Sequence, residues 1–518
     1  MTTRINPRAT LGVALAVTIL AVVGCGMRTS KDATPSPASS SATADKGESK
    51  PLFQDWPTPA GALVITGEQL GYLAPCGCTQ GQKGGLIRRE ILINKLGKQG
   101  WPLALIDLGS LINDPATHGG PVETKVRYTV ALQALAQLNY DAVALSAQDM
   151  KLEVQEVLGQ YMNLGDRPKI VSANVTTPLG LEDKLVPSVR TAAGPIKIGV
   201  TAVLDPETLK TLNDPNKADL LTVKTPDDVL PAVLADLKKD THVQVLMVQG
   251  PPELAKTLAE RYPGFGIVVG TSTYVDAPKD PESLNGGKTL LIQVGKKGQY
   301  VGVVGLFQDP KEKVRYQRIE LHDRYTNTPE LAGLGEPMRQ LLDEQFPNTL
   351  KAAGALENYP RRRYVAFDAP TDAHYVGALT CKECHPSTYD QWSNTPHSRA
   401  YRGLTKKARN REWDAECVSC HVTGFEYETG YTTPDATPHL KGNQCENCHG
   451  PGSKHAADPD NKQFLKAIAR SADDFQRNYR CLVCHDEDND PHFDWDKYWP
   501  KIEHNELDSY EDPKVHQG

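Results

Sequence analysis

The residues best suited to chemistry are four pentapeptides in the last third of the chain: CKECH (Cys381, Cys384, His385), CVSCH (Cys417, Cys420, His421), CENCH (Cys445, Cys448, His449) and CLVCH (Cys481, Cys484, His485). Two intervening residues put both sulfurs on one side of a single turn, and the next residue projects its imidazole beneath them. In this C-x-x-C-H spacing each thiol adds to a haem vinyl group and the His becomes the proximal iron ligand. Paired zinc knuckles are the competing use of C-x-x-C, but a structural zinc site does not require a His directly after every second Cys. The expectation is four covalent haem c groups, with the eight motif cysteines as attachment points.

Seven further histidines crowd the same region: His374, His397, His439, His455, His492, His504 and His516. A lone His is more often a surface or core residue than a ligand. Eleven of the chain's 14 His, however, lie at or beyond residue 374. The excess points to imidazoles capping the sixth iron position, which favours a low-spin, low-potential iron suited to outer-sphere transfer. The motifs start 36, 28 and 36 residues apart, room for little beyond a helix and a loop each. The porphyrins must then form much of the core and sit close together, as a wire would.

Composition narrows the remainder. At 518 residues the chain is long enough for two or three domains, and its net charge of -7 leaves no basic surplus for general nucleic-acid binding. Of 11 Cys, eight are in the motifs, leaving Cys25 and the pair Cys76 and Cys78, so there is no disulfide framework. Arg4 and Arg8 followed by an apolar run from Leu11 to Val23 read as a secretory signal, too short for a comfortable membrane span. Residues 26–58, rich in Ser, Thr, Ala, Pro and Lys, should form a disordered tether.

From residue 59 to 310, apolar strand-like runs alternate with amphipathic helices, which predicts a layered α/β domain. The expected strands lie at 63–65, 103–106, 142–145, 196–203, 243–248, 267–269, 290–294 and 300–307, with helices at 86–96, 126–138 and 229–237. Residues 311–370 read as a partly helical connector, with a helix over 329–346, and 371–518 as a mostly α, loop-rich haem domain. The run from Asp486 to Lys514 holds eleven acidic residues against three Lys. That is either a solvated tail or a docking face for a basic redox partner.

Three resemblances refine these readings. Val22-Val23-Gly24-Cys25 resembles a bacterial lipoprotein signal, implying an exported chain anchored to the periplasmic side of a membrane through lipid on Cys25; a non-lipidated signal is the alternative. The stretch Gly71 to Cys78 with Gly84 to Arg89, then 105–110, 140–149, 245–250 and 269–273, resembles the 5'-nucleotidase branch of the calcineurin-like metallophosphoesterases, implying a four-layer αββα sandwich. The metal ligands of that family depart: Glu68-Gln69-Leu70-Gly71 stands for D-x-H-G, Gly109-Ser110 for G-D, Ser146 to Asp149 for G-N-H-E, and Gly270 to Thr273 for G-H-x-H. Two cations about 3.5 to 4 Å apart need several convergent His and carboxylate ligands. Glu68, Asp107 and Asp149 do not supply them, so no catalytic residue is assigned. Cys76 and Cys78 are open to four readings: a strained disulfide, a soft-metal half-site, exposed thiols or a structural loop pair.

The third resemblance is to the cytochrome c-554 family of tetrahaem electron carriers, over about 371–505. It rests on Tyr375-Val376-Gly377, Trp392 to His397, Cys417 to Gly424, Thr437 to Gly442, Gln444 to His455 and Tyr498 to His504. It implies His397, His455 and His504 as distal ligands, with His439 next. The function expected is electron transfer between redox partner proteins. The alternatives are a haem enzyme acting on a small nitrogen or sulfur compound through an open iron, or an active nucleotidase-like hydrolase.

Overall fold

The structure, a computed structural model, describes residues 52–75, 82–113, 119–212, 214, 217–309, 314–326, 328–365, 372–405, 410–477 and 480–504. Cys25, most of the tether, the Cys76–Cys78 pair, the boundary near residue 370, and the segment from 505 with His516 lie outside them.

Two sheets lie face to face. One has seven strands in the spatial order Val314–Glu320, Tyr300–Leu306, Gly61–Thr66, Leu103–Asp107, Ala142–Ala144, Lys169–Val171 and Leu185–Val186. The other has six: Glu282–Leu284, Thr289–Gln293, Ile267–Gly270, Val243–Gln249, Ile196–Leu204 and Ser188–Ala193. The central strands are parallel, with Leu63 opposite Ala104 and Val245 opposite Val200. Strands covered on both faces read as continuous apolar runs, which is why these segments were visible in the sequence.

The strand period of two sorts side chains between layers. Leu63, Ile65, Ile106, Val200, Val245, Met247 and Val304 meet between the sheets. Ala62, Val64 and Leu105 turn outward onto the helices Leu86–Lys98 and Gly120–Gln137. On the far side, Leu246, Val248 and Val268 meet Leu230, Leu237 and Leu258 of the helices Pro226–Leu237 and Pro252–Arg261. The result is a four-layer αββα sandwich.

Three expected boundaries differ. Residues 52–58 join the folded body rather than the tether, because Trp56 stacks on Trp101 at 6.1 Å and packs edge-on against Phe307. The sheet runs past residue 310: Val314–Glu320 pairs with Tyr300–Leu306 along its full length. The helix expected over 329–346 is broken at Gly335, where a Cβ would fall 2.9 Å from Ile87 and Ile91. It resumes through residue 352 and buries Met338, Leu341, Leu342, Phe346 and Leu350.

Beyond residue 372 the described α-helices are four to eight residues long, joined by loops. Helices this short are marginal by themselves and depend on what they pack against. Among the described residues no helix is long and apolar enough to cross a membrane.

Candidate haem centres and the sandwich interior

Each pentapeptide sits on or beside a short helical turn: Ala378–Lys382, Ala415–His421, Cys445–His449 and Arg480–Val483. The turn brings the two thiols together, and tertiary packing then brings the motifs together. The Cys381 sulfur lies beside that of Cys445, and the Cys420 sulfur beside that of Cys484. Motif one therefore abuts motif three, and motif two abuts motif four.

The imidazoles pair as axial ligands would. A metal–imidazole bond is about 2 Å, so two imidazoles on opposite sides of one ion place their ring centres roughly 6 Å apart. His385 and His455 lie 6.4 Å apart with rings 25° from parallel. His485 and His397 lie 6.1 Å apart, and His449 and His504 5.7 Å. Nδ1 is bonded on three proximal rings: His421 to Ala400 O at 2.6 Å, His449 to Ile468 O at 2.9 Å, and His485 to Asp490 Oδ2 at 2.8 Å. Such a bond fixes the tautomer and leaves Nε2 for the metal. Burial pushes the pKa of His397, His421, His449 and His455 down, favouring the neutral ring that ligates. These residues fit haem iron.

The structure thus places His397, His455 and His504 opposite proximal rings but leaves His439 exposed. His439 instead offers its carbonyl to Gln444 Nε2 at 2.7 Å. His374 and His492 are exposed as well. Among the described residues no imidazole stacks opposite His421.

Glu446, within motif three, holds the region together. Its buried carboxylate accepts N–H bonds from Val376, Gly377 and Gly452 at 3.0, 2.7 and 2.8 Å, tying motif three to the segment ahead of motif one. Asn447 adds bonds to Gly424 N and Val422 O beyond motif two.

In the sandwich, the segments that resemble phosphoesterase motifs are joined by a hydrogen-bonded net. Ser110 Oγ lies 3.1 Å from Ser146 Oγ, and Gln249 Nε2 lies 3.4 Å from Ser110 Oγ while also donating to Leu108 O. Arg89, only 1% exposed, pairs with Asp107 at 3.4 Å and donates to Gln69 Oε1. A guanidinium brought this close offsets the negative charge of the carboxylate. Glu68, Asp107 and Asp149 all have pKa values raised by burial, Asp149 to about 8. Glu68, Leu70 and Ser110 keep left-handed backbone at φ 49°, 49° and 58°, a conformation non-glycine residues rarely adopt.

One group of three carboxylates converges among the described residues: Glu123, Asp414 and Glu416. The Arg127 guanidinium occupies it, bonded to the three at 2.8, 2.7 and 3.1 Å. Arg127 also donates to Gly71 O at 3.0 Å, while Glu123 Oε2 accepts from Ala415 N at 2.6 Å. This joint between sandwich and haem motif two was not foreseen from sequence. The one local signal is Glu123 and Arg127 at i,i+4 on an apolar helix.

Residues 380–450, spanning motifs one to three, match the family model described as cytochrome c554 and c-prime. A cytochrome c-554 from Nitrosomonas europaea is 32% identical over 156 residues, covering 26% of this chain; the chain spans 65% of that relative's length. The C-terminal region is thus similar to c-type cytochromes of this kind, and its four C-x-x-C-H motifs are of the type that binds haem c covalently. Among solved structures, a 5'-nucleotidase precursor from Thermus thermophilus is similar at TM-score 0.46 and 19% identity, covering 64% of this chain and 67% of that one. The calcineurin-like phosphoesterase YfkN from Bacillus subtilis is similar at TM-score 0.42 and 16% identity, covering 57% and 98%.

Proposed function

With a cytochrome c-554-like segment as premise, we propose that this chain is an exported tetrahaem c-type cytochrome that carries electrons between redox partner proteins, held on the periplasmic side of a membrane by lipid on Cys25. The observation that carries the reading is the set of three imidazole pairs at 5.7 to 6.4 Å, because an iron closed on both faces exchanges electrons without binding substrate. The haem c groups supply the redox change. The protein's own part is to fix the ligand rings through Ala400, Ile468 and Asp490 and to hold the motifs edge to edge.

In the same reading the sandwich has given up phosphate-ester hydrolysis and serves as a binding or docking module. The Ser110–Ser146–Gln249 net and the Arg89–Asp107 pair support this, since neither hydroxyls nor an amide replace the missing anionic and imidazole ligands of a dinuclear site. Elemental analysis of full-length protein should find four irons per chain and no stoichiometric second metal, with no release of phosphate from 5'-AMP in added Mn²⁺. Phosphate release abolished by a chelator would sink this part of the proposal. Fewer than four reversible one-electron steps would sink the carrier reading.

A second reading is favoured by His421 alone, whose distal side meets no imidazole among the described residues. An iron open on that face would admit a small nitrogen or sulfur compound, making the protein a haem enzyme. A high-spin resonance that cyanide converts to low-spin supports it; four low-spin signals in the untreated protein remove it.

A further inference from the structure

The loop after motif four joins haem ligation to the sandwich. His485 Nδ1 bonds to Asp490 Oδ2 at 2.8 Å. Asp490 is set by a tight turn: its N–H reaches Asp486 O at 2.8 Å, and Asp486 Oδ1 accepts from Asp488 N and Asn489 N at 2.9 and 2.7 Å. Asp488, at the middle of this turn, points away from the haem region and into the sandwich. Its carboxylate pairs with Lys297 and accepts from Tyr72 OH at 2.9 Å, and its carbonyl accepts from Gln82 Nε2 at 2.8 Å. Lys297 lies on the turn between the strands Thr289–Gln293 and Tyr300–Leu306, 5.3 Å over the Tyr72 ring. Three groups of one module thus converge on one residue of the other.

We propose that Lys297, with Tyr72, is a positioning residue for the fourth haem: by holding Asp488 it fixes the Asp486–Asp490 turn so that Asp490 keeps its bond from the proximal His485. This rests on haem being bound at motif four. An anionic acceptor on Nδ1 makes the imidazole a stronger donor to iron and stabilises the oxidised state, one of the means by which a protein sets a haem potential. The sandwich then contributes to electron transfer without touching an iron.

The two effects of removing Lys297 have opposite signs, which makes the proposal testable. Loss of a nearby positive charge alone favours the oxidised iron and lowers the midpoint potential. Loss of the Asp490 bond weakens the ligand and raises it. In a spectroelectrochemical titration of the full-length, haem-loaded protein, Lys297→Ala is expected to raise one midpoint and leave the other three. The reduced-to-oxidised ratio at fixed potential should change by on the order of tenfold, about 59 mV for one electron. Asp490→Asn should move the same midpoint in the same direction. A fall, or no shift, overturns the proposal. Lys297 is about four-fifths buried, with 21% of its side chain exposed, so Tyr72→Phe, which deletes one hydroxyl, is the gentler companion. It should raise the same midpoint by less, and a fall or no shift overturns the proposal equally. Four reversible steps with Lys297→Ala unshifted would defeat this inference alone, whereas missing steps in the unmodified protein would defeat the carrier reading.

Discussion

Arg127 and Asp414, 287 residues apart, are joined by a buried bond of 2.7 Å, and through it the sandwich grips the helix that carries motif two. Arg411 approaches Asp414 from the other side at 3.0 Å, and both guanidinium groups lie over the Phe346 ring. Removing one partner of a buried ion pair strands the other, at about 3–5 kcal/mol. Arg127→Ala should therefore destabilise the whole protein by about that much. Urea unfolding followed by tryptophan fluorescence and by the haem Soret band checks it. An unchanged midpoint in both signals would mean the joint carries no stability.

Asp149 predicts a pH dependence. Burial raises its pKa from 3.8 to about 8, with Asp107 and Glu68 adding to the rise and the Ile112 and Leu111 amides opposing it. The folded state binds the proton more tightly than the unfolded chain. Its contribution is thus fully present below about pH 4 and is lost as pH rises through about 8. One proton corresponds to a slope of about 1.4 kcal/mol per pH unit. Asp149→Asn keeps an acceptor for the Ile112 N–H and removes the titration. Unfolding free energies measured between pH 5 and 8 should fall less steeply in this variant, by about one proton. Parallel curves would show that Asp149 is already ionised.

Glu446 accepts bonds from three backbone N–H groups, which lose this acceptor when it is removed. Each buried amide left unmet costs about 1–3 kcal/mol. Glu446→Ala should lower the thermal midpoint and the yield of haem-loaded protein, with Glu446→Gln intermediate because one oxygen remains. Equal behaviour of Ala and Gln variants would argue that its charge, not its acceptor geometry, matters.

What could be read from sequence was local. The pentapeptides declare themselves because all their donors lie within five residues, and the parallel strands because both their faces are apolar. The edge strands Ser188–Ala193 and Val314–Glu320 escaped because one face meets solvent and the apolar run is diluted by Arg190, Arg315 and Arg318. The seating of Arg89 and Arg127 was invisible because a helix sequence shows the charge but not the carboxylate delivered from elsewhere. Distal pairing was hidden for the same reason: His455 follows motif three yet faces the ring of motif one, and His397 follows motif one yet faces that of motif four.

That crossing yields the sharpest spectroscopic prediction. If His455, His397 and His504 each close one iron, replacing any of them by Ala opens only the partner site, since the proximal bond and both thioethers remain. Each variant should convert one low-spin iron to high-spin, and the three should differ in which resonance disappears: that of motif one for His455→Ala, motif four for His397→Ala and motif three for His504→Ala. His439→Ala should leave every resonance in place, because the ring is exposed and faces no proximal imidazole. Electron paramagnetic resonance of the four oxidised variants, paired with redox titration to follow the accompanying rise in potential, reads this directly. Loss of a low-spin signal in His439→Ala, or its retention in any of the other three, would overturn the ligand assignment.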